Sequence, residues 1–156
     1  MTGRIALLLN IVDQAYGKRA FHGTTMRGAL RGLDPDAALW RPAHDRHNIW
    51  ELILHAAYWK YAVRRHVGDR LPRFQRKPRN WPRIPSEPSK KALKADIGYL
   101  DEEHQMLRAA VVSFRDSRLD DTVDSSAMTY ATLMHGIAAH DAYHTGQIQL
   151  LKRLRR

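Results

Sequence analysis

Histidine is the residue type whose spacing in this chain points to chemistry. Nine histidines occur among 156 residues, and His140 and His144 are four residues apart in a stretch with helical apolar spacing. Residues four apart share one face of a helix, so the two imidazoles can reach a single ion. Both stand where Leu or Ile would complete the apolar stripe, and a buried polar ring without a partner costs about 1–3 kcal/mol. The pair therefore predicts that a hydrogen-bonding group or a bound ion contacts both imidazoles.

His55 shows the same departure on an earlier predicted helix, where it lies between Leu52 and Trp59 on the inward face. Three inward histidines from two neighbouring helices suit a three-imidazole metal site with open positions for water or substrate, as in catalytic zinc sites. The alternative is a hydrogen-bonded histidine cluster in a polar core. A di-iron carboxylate site fits less well, because it needs two Glu-x-x-His elements, whereas Glu51 precedes His55 by four residues.

His104 also falls on an inward stripe. It is either a fourth metal ligand or a histidine at the edge of the core that bonds to a carboxylate, and the adjoining Glu102 and Glu103 favour the second. The other histidines lie in predicted loops, at a helix end or off the main stripe and need no special function: His22, His44, His47, His66 and His135.

Two further side chains can face the same interior. Glu51 lies one turn before His55, and Gln147 lies three residues after His144, so both are candidate hydrogen-bond partners of the ligands. Their alternative roles are helix capping for Glu51 and a hydrogen bond at the end of the helices for Gln147. Glu51 is also the only candidate base near the ligands, because Tyr143 can point outward; the catalytic residue stays unassigned.

The elements that must position these residues are helices. Apolar residues recur at helical spacing in four long stretches, and no segment alternates with period two. The stretches cover residues 5–30 with a pause near 17, 48–68, 89–114 and 129–154. This pattern predicts an all-α fold, a four-helix bundle in a single domain over residues 1–156. Residues 71–88 contain five prolines and predict a long irregular crossover between the second and third helices.

The composition excludes some kinds of site and raises nucleic acid as an alternative partner. The chain has no cysteine, which excludes disulfides, thiolate ligands and a cysteine nucleophile. Its net charge of +10 is concentrated in residues 64–83, with eight basic residues against one acid, and in residues 152–156. The first segment, with Phe74 and Trp81 as stacking groups, permits nucleic-acid binding. A solvated basic crossover whose aromatic side chains pack on the helices is the favoured interpretation.

The N-terminal apolar patch, residues 5–12, contains Asn10 and is followed by Asp13. It predicts a helix face rather than a signal peptide or a membrane span. We therefore expect a soluble, cytoplasmic protein with no membrane partner.

Three motifs carry a family resemblance: Leu-Trp-Arg-Pro at 39–42, Asn-Ile-Trp-Glu-Leu-Ile-Leu-His at 48–55, and His-x3-His-x-Gly-Gln-Ile at 140–148. The third is the most specific. With these motifs the chain resembles the DinB-like (DinB/YfiT) superfamily over essentially its whole length.

The resemblance implies a four-helix bundle, often a homodimer, with one divalent metal, usually zinc or nickel, held by His55, His140 and His144. Related families include transferases and isomerases that use a low-molecular-weight thiol, whose pKa the metal lowers. The implied function is a metal-dependent enzyme that activates water or such a thiol in a small-molecule reaction, as a hydrolase or a thiol transferase or isomerase. The alternatives are a non-catalytic protein stabilised by metal, or a nucleic-acid-binding protein.

Overall fold

The computed structural model describes residues 3–17, 19–68, 73–124 and 126–155. The regular elements in these residues are helices, which confirms the all-α prediction for the described chain. They are α1 (Gly3–Tyr16), α2 (Met26–Ala29), α3 (Pro35–Leu39), α4 (Ile49–Val67), α5 (Lys90–Ser113) and α6 (Tyr130–Leu154), with a short 3-10 turn at Asp116–Arg118. None of these helices combines the length and apolar content that a membrane crossing needs.

The first predicted stretch is shorter than its pattern indicates. Instead of resuming at residue 20, the chain turns there, and the Gly23 N–H donates to the Ala20 carbonyl at 3.3 Å. Gly23 has a φ of +96°, a conformation that favours glycine and that a helix cannot contain. The helix restarts only as α2, where the Thr25 hydroxyl accepts from the Gly28 N–H at 3.2 Å.

The starts of the other long helices agree with the sequence prediction because local caps fix them. The Asn48 side chain accepts from the Glu51 N–H at 2.9 Å, and the Glu51 carboxylate accepts from the Asn48 N–H at 3.1 Å. This capping box begins α4, and Gly68 follows its last turn. Ser89 and Thr129 cap α5 and α6, each accepting from the backbone N–H three residues on.

Each of the four long helices packs against two others: α4 and α1 both contact α5 and α6. Their apolar side chains form two clusters. The first surrounds Trp50, Ile53, Leu54, Leu100 and Ile148. The second surrounds Ile5, Val12, Leu107, Val111 and Met134.

A band of buried polar residues separates these two clusters. Along α4, residues up to 57 belong to the first cluster and those from 63 onward to the second, with Lys60 between them. The other helices show the same change of cluster, and we call the polar side chains at this level the polar layer: Asp13, Lys60, Glu103, His104 and Asp141, all at most 4 % exposed.

The segment between α4 and α5 contains no helix in its described part, residues 73–89. Phe74 and Pro82 are buried, so the segment lies against the helices. Arg70, Leu71 and Pro72 of the predicted basic and proline-rich stretch lie outside the described residues, as does Arg156 of the basic tail.

Candidate metal site

The structure brings together the three histidines that the sequence singles out. His55 comes from α4, and His140 and His144 come from α6. One ring nitrogen from each lies within 4.8 Å of the others, an arrangement that could hold a metal ion. The Nε2 atom of His140 lies 3.2 Å from Nε2 of His55 and 3.1 Å from Nε2 of His144. We call these three residues the histidine group.

Hydrogen bonds on the far sides of two rings determine which nitrogens face inward as acceptors. Nδ1 of His55 lies 2.6 Å from the Asn80 carbonyl oxygen, which can only accept, so this Nδ1 carries the hydrogen. Nδ1 of His144 donates in the same way to Oε1 of Gln147 at 2.6 Å. The Nε2 atoms of both neutral rings therefore present lone pairs, and metal-binding histidines are oriented by the same kind of contact.

Hydrogen bonding within the histidine group cannot satisfy all three rings. His140 Nε2 carries at most one hydrogen, which it can donate to only one of the two facing lone pairs. Nδ1 of His140 is buried and has no hydrogen-bond partner among the described residues. A purely hydrogen-bonded cluster therefore leaves a buried acceptor without a donor, whereas a cation satisfies converging lone pairs.

The three imidazoles are held in the neutral form that binds metals. Burial lowers the pKa of His55 to about 4, although the Asn80 carbonyl opposes the shift. Burial, with His144 and His55 nearby, lowers the pKa of His140 to about 3. Burial also lowers the pKa of His144.

The segment before α5 completes one wall of the site. The side-chain oxygen of Asn80 accepts from Trp59 Nε1 at 2.9 Å, while its carbonyl holds His55. The Trp81 ring stacks on His55 at 3.8 Å and on His47 at 3.5 Å between ring centroids. Spacing gave no signal for Asn80 or Trp81 as site residues, since only the folded path of the segment brings them to α4.

One position of the predicted inward face of α4 lies at the surface instead, since Trp59 is 38 % exposed. His66, near the end of the helix, is exposed as well. His47, which appeared to be an ordinary loop histidine, lies beside the site through its stack on Trp81. Its Nδ1 lies 3.0 Å from Glu51 Oε2.

Gln147 bonds directly to His144, whereas Glu51 acts elsewhere. The Glu51 carboxylate bonds to Arg41 at 2.5 and 2.8 Å, to His47, and to the Asn48 N–H that it caps. Burial alone would raise the pKa of Glu51, but these hydrogen bonds outweigh burial and hold the pKa below its usual value. The carboxylate thus stays ionised and fixes the start of α4 and the position of His47.

His104 lies in the polar layer and outside the histidine group. Its ring stacks on Tyr16 with centroids 3.8 Å apart, and its Nε2 lies 3.9 Å from the carboxylate of Asp13. The nearby carboxylate is therefore Asp13 rather than the adjoining Glu103, which pairs with Arg64 at 2.9 Å. Burial, together with the charge of Lys60, lowers the pKa of His104 to about 3.

A cleft of about 390 Å³ opens beside His144. Its walls combine apolar surface with a few polar groups, an arrangement typical of small-molecule sites. The residues that line it include His47, Trp81, Tyr143, His144, Gln147 and Leu151. Tyr143 is exposed, and its ring packs against His144 with centroids 5.0 Å apart.

Comparisons with known proteins identify a family. Neither the curated proteins nor the solved structures contain a significant match to the chain. A family model, however, matches residues 21–148, a range that includes the three histidines, Asn80, Trp81 and Gln147. That model describes the DinB superfamily, and this chain belongs to it.

Proposed function

We propose that this protein binds one divalent metal ion through His55, His140 and His144 and uses it as an enzyme acting on a small molecule held in the adjoining cleft. The observation that carries the proposal is the pair of Nδ1–H donors fixed by Asn80 and Gln147. These two contacts turn the Nε2 lone pairs of His55 and His144 toward His140. Three neutral imidazoles with too few hydrogens to share are a donor set suited to zinc or nickel.

A divalent metal held by these three imidazoles would supply a Lewis acid that lowers the pKa of water or of a low-molecular-weight thiol, which is the chemistry of a hydrolase or of a thiol transferase or isomerase. The chain has no cysteine, so a reacting thiol must come from a second substrate. Asn80 and Gln147 orient the imidazole rings. Trp81 stacks on the ring of His55 and shields it from water.

Other parts of the proposal concern assembly and architecture. The contacts among the four long helices support a four-helix bundle, with the proline-rich segment as a crossover between α4 and α5. We also propose a cytoplasmic homodimer, on the family resemblance alone. Size-exclusion chromatography with light scattering measures the oligomeric state, and a monomer at all concentrations would contradict the homodimer.

Metal analysis of matched variants tests the site. We expect one zinc or nickel ion per wild-type chain by plasma mass spectrometry after dialysis, and loss of the metal in His140→Ala. His135→Ala is the control, because His135 is exposed on the same helix and lies outside the histidine group. Unchanged metal content in His140→Ala would refute the proposed site.

A non-catalytic, metal-stabilised protein is the second candidate, because the histidine group spans α4 and α6 and a bound metal would link these helices. Both candidates predict a lower melting temperature after chelation. Only the enzyme predicts turnover, so assays of ester hydrolysis and of thiol transfer with the zinc-loaded protein separate them. Tyr143→Ala in the cleft wall should change KM in an enzyme and leave the melting temperature of a structural protein unchanged.

A further inference from the structure

A strongly basic cleft lies on the segment between α4 and α5, whose Asn80 carbonyl accepts from His55. It has a volume of about 530 Å³ and is lined by Lys77, Pro78, Arg79 and Arg83. The three cationic side chains are exposed. Residues 73–83 contain five basic residues and no acidic one, so the local field is strongly positive.

This cleft is built on an anchored backbone. The Arg83 N–H donates to the Lys77 carbonyl at 3.1 Å, which closes residues 77–83 into a compact loop. Within the loop, the Asn80 carbonyl accepts from His55, and Trp81 stacks on two imidazoles. The anchored loop therefore places three like charges around one cleft, and a bound anion would offset their mutual repulsion.

The cations of the cleft differ from their neighbour Arg76. The Arg76 guanidinium pairs with the buried carboxylate of Asp96, so its charge is already compensated within the fold. None of the ion pairs between the described residues involves Lys77, Arg79 or Arg83. Their donors are available to a ligand.

We propose that Lys77, Arg79 and Arg83 form an anion-binding site for the phosphate or pyrophosphate group of a small molecule. Two guanidinium groups can each bind phosphate oxygens through paired hydrogen bonds, and the lysine adds a compact charge. A dianionic group neutralises most of the local charge in a cleft of this size. The site shares no residue with the histidine group, so its failure would leave the proposed metal site standing, and the reverse also holds.

The surroundings favour a small ligand over a nucleic acid. Binding of a single strand uses aromatic side chains as stacking surfaces for bases. Phe74 is only 7 % exposed, and the Trp81 ring already stacks on His47 and His55. The loop thus offers charge without an available aromatic platform.

Calorimetric titration with inorganic pyrophosphate at about 0.15 M salt tests the site. The test variant is Arg79→Gln/Arg83→Gln. The matched control is Arg65→Gln/Arg73→Gln, which removes the same charge from exposed positions outside the cleft. We expect the test variant to bind at least about tenfold more weakly than wild type, since each lost contact is charge-assisted, and the control to change affinity less than about threefold.

Three results would overturn the proposal: no heat of binding with wild type at millimolar pyrophosphate, equal weakening in both variants, or tight binding of a single-stranded oligonucleotide without binding of pyrophosphate. Thermal melts show whether each variant is folded. Arg79→Lys is a milder second variant that keeps the charge and loses the paired hydrogen bonds. It should weaken binding by a smaller factor than the double variant, and an affinity equal to wild type would contradict the role of the guanidinium.

Discussion

The histidine group and the polar layer both include buried polar side chains of α4 and α6, and Asp141 of the layer directly follows His140. Their chemistry is opposite. Each carboxylate of the layer has a cationic partner: Asp141 with Lys60, Asp13 with Arg108, and Glu103 with Arg64. In the histidine group, three Nε2 atoms converge and share at most one hydrogen, so at least one lone pair has no donor within the group.

This contrast indicates that the polar layer stabilises the fold, whereas the histidine group is arranged to bind a ligand. A buried charge is tolerated when an opposite charge compensates it, and each carboxylate of the polar layer has a cationic partner inside the chain. The histidine group lacks such compensation and opens to the cleft beside His144. Changes in the layer should therefore affect folding, while changes in the histidine group should affect ligand binding first.

The largest effect should follow from breaking the Lys60–Asp141 pair. Both side chains are essentially inaccessible, so Lys60→Met leaves a buried carboxylate without its cation. We expect a loss of about 3–5 kcal/mol in the free energy of unfolding, measured by urea denaturation with circular dichroism. Replacing both partners in Lys60→Met/Asp141→Leu should recover most of this loss, because no charge is left buried. Equal destabilisation of the single and double variants would show that the pair is not mutually compensating.

Metal removal should give the next largest effect and should act only through the histidine group. With free zinc at about 100 times its dissociation constant, binding to the native state adds about 2.7 kcal/mol to the free energy of unfolding. A chelator should remove this increment from wild type and from His135→Ala. His140→Ala should be insensitive to zinc, and a zinc-dependent melting temperature in that variant would place the metal elsewhere.

Acid should destabilise the polar layer through His104. Its pKa in the folded protein is about 3, below the ordinary value of 6.5, so between these values the unfolded chain binds a proton that the native chain excludes. Stability is therefore lost as the pH falls below about 6.5, and the loss due to His104 reaches about 2 kcal/mol at pH 5. His104→Phe keeps a ring against Tyr16 and should reduce the difference in unfolding free energy between pH 7 and pH 5. An unchanged difference would exclude His104 as the source.

The two regions also differ in how far the sequence predicts them. His55, His140 and His144 were predictable because helical spacing and local caps at Asn48 and Thr129 determine which face each residue occupies. Lysine is usually found at the protein surface, and the burial of Lys60 depends on Asp141, which lies opposite it on another helix. Asn80 is positioned by the tertiary path of an irregular segment, which has no periodicity to read.

The smallest effect should come from Asn80, whose two roles can be separated by substitution. Asn80 has a φ of +67°, which glycine adopts freely and alanine does not. Asn80→Gly keeps the carbonyl that accepts from His55 and loses only the bond from Trp59, so we expect a loss of about 1 kcal/mol with full metal content. Asn80→Ala adds a backbone strain of about 1–2 kcal/mol, which favours displacement of the same carbonyl from His55. Weaker zinc binding in Asn80→Ala than in Asn80→Gly would link the path of this segment to the orientation of His55, because both variants lack the Asn80 side chain and differ only in backbone preference. Equal zinc affinity would show that the carbonyl contact tolerates the strain and that His140 and His144 dominate binding.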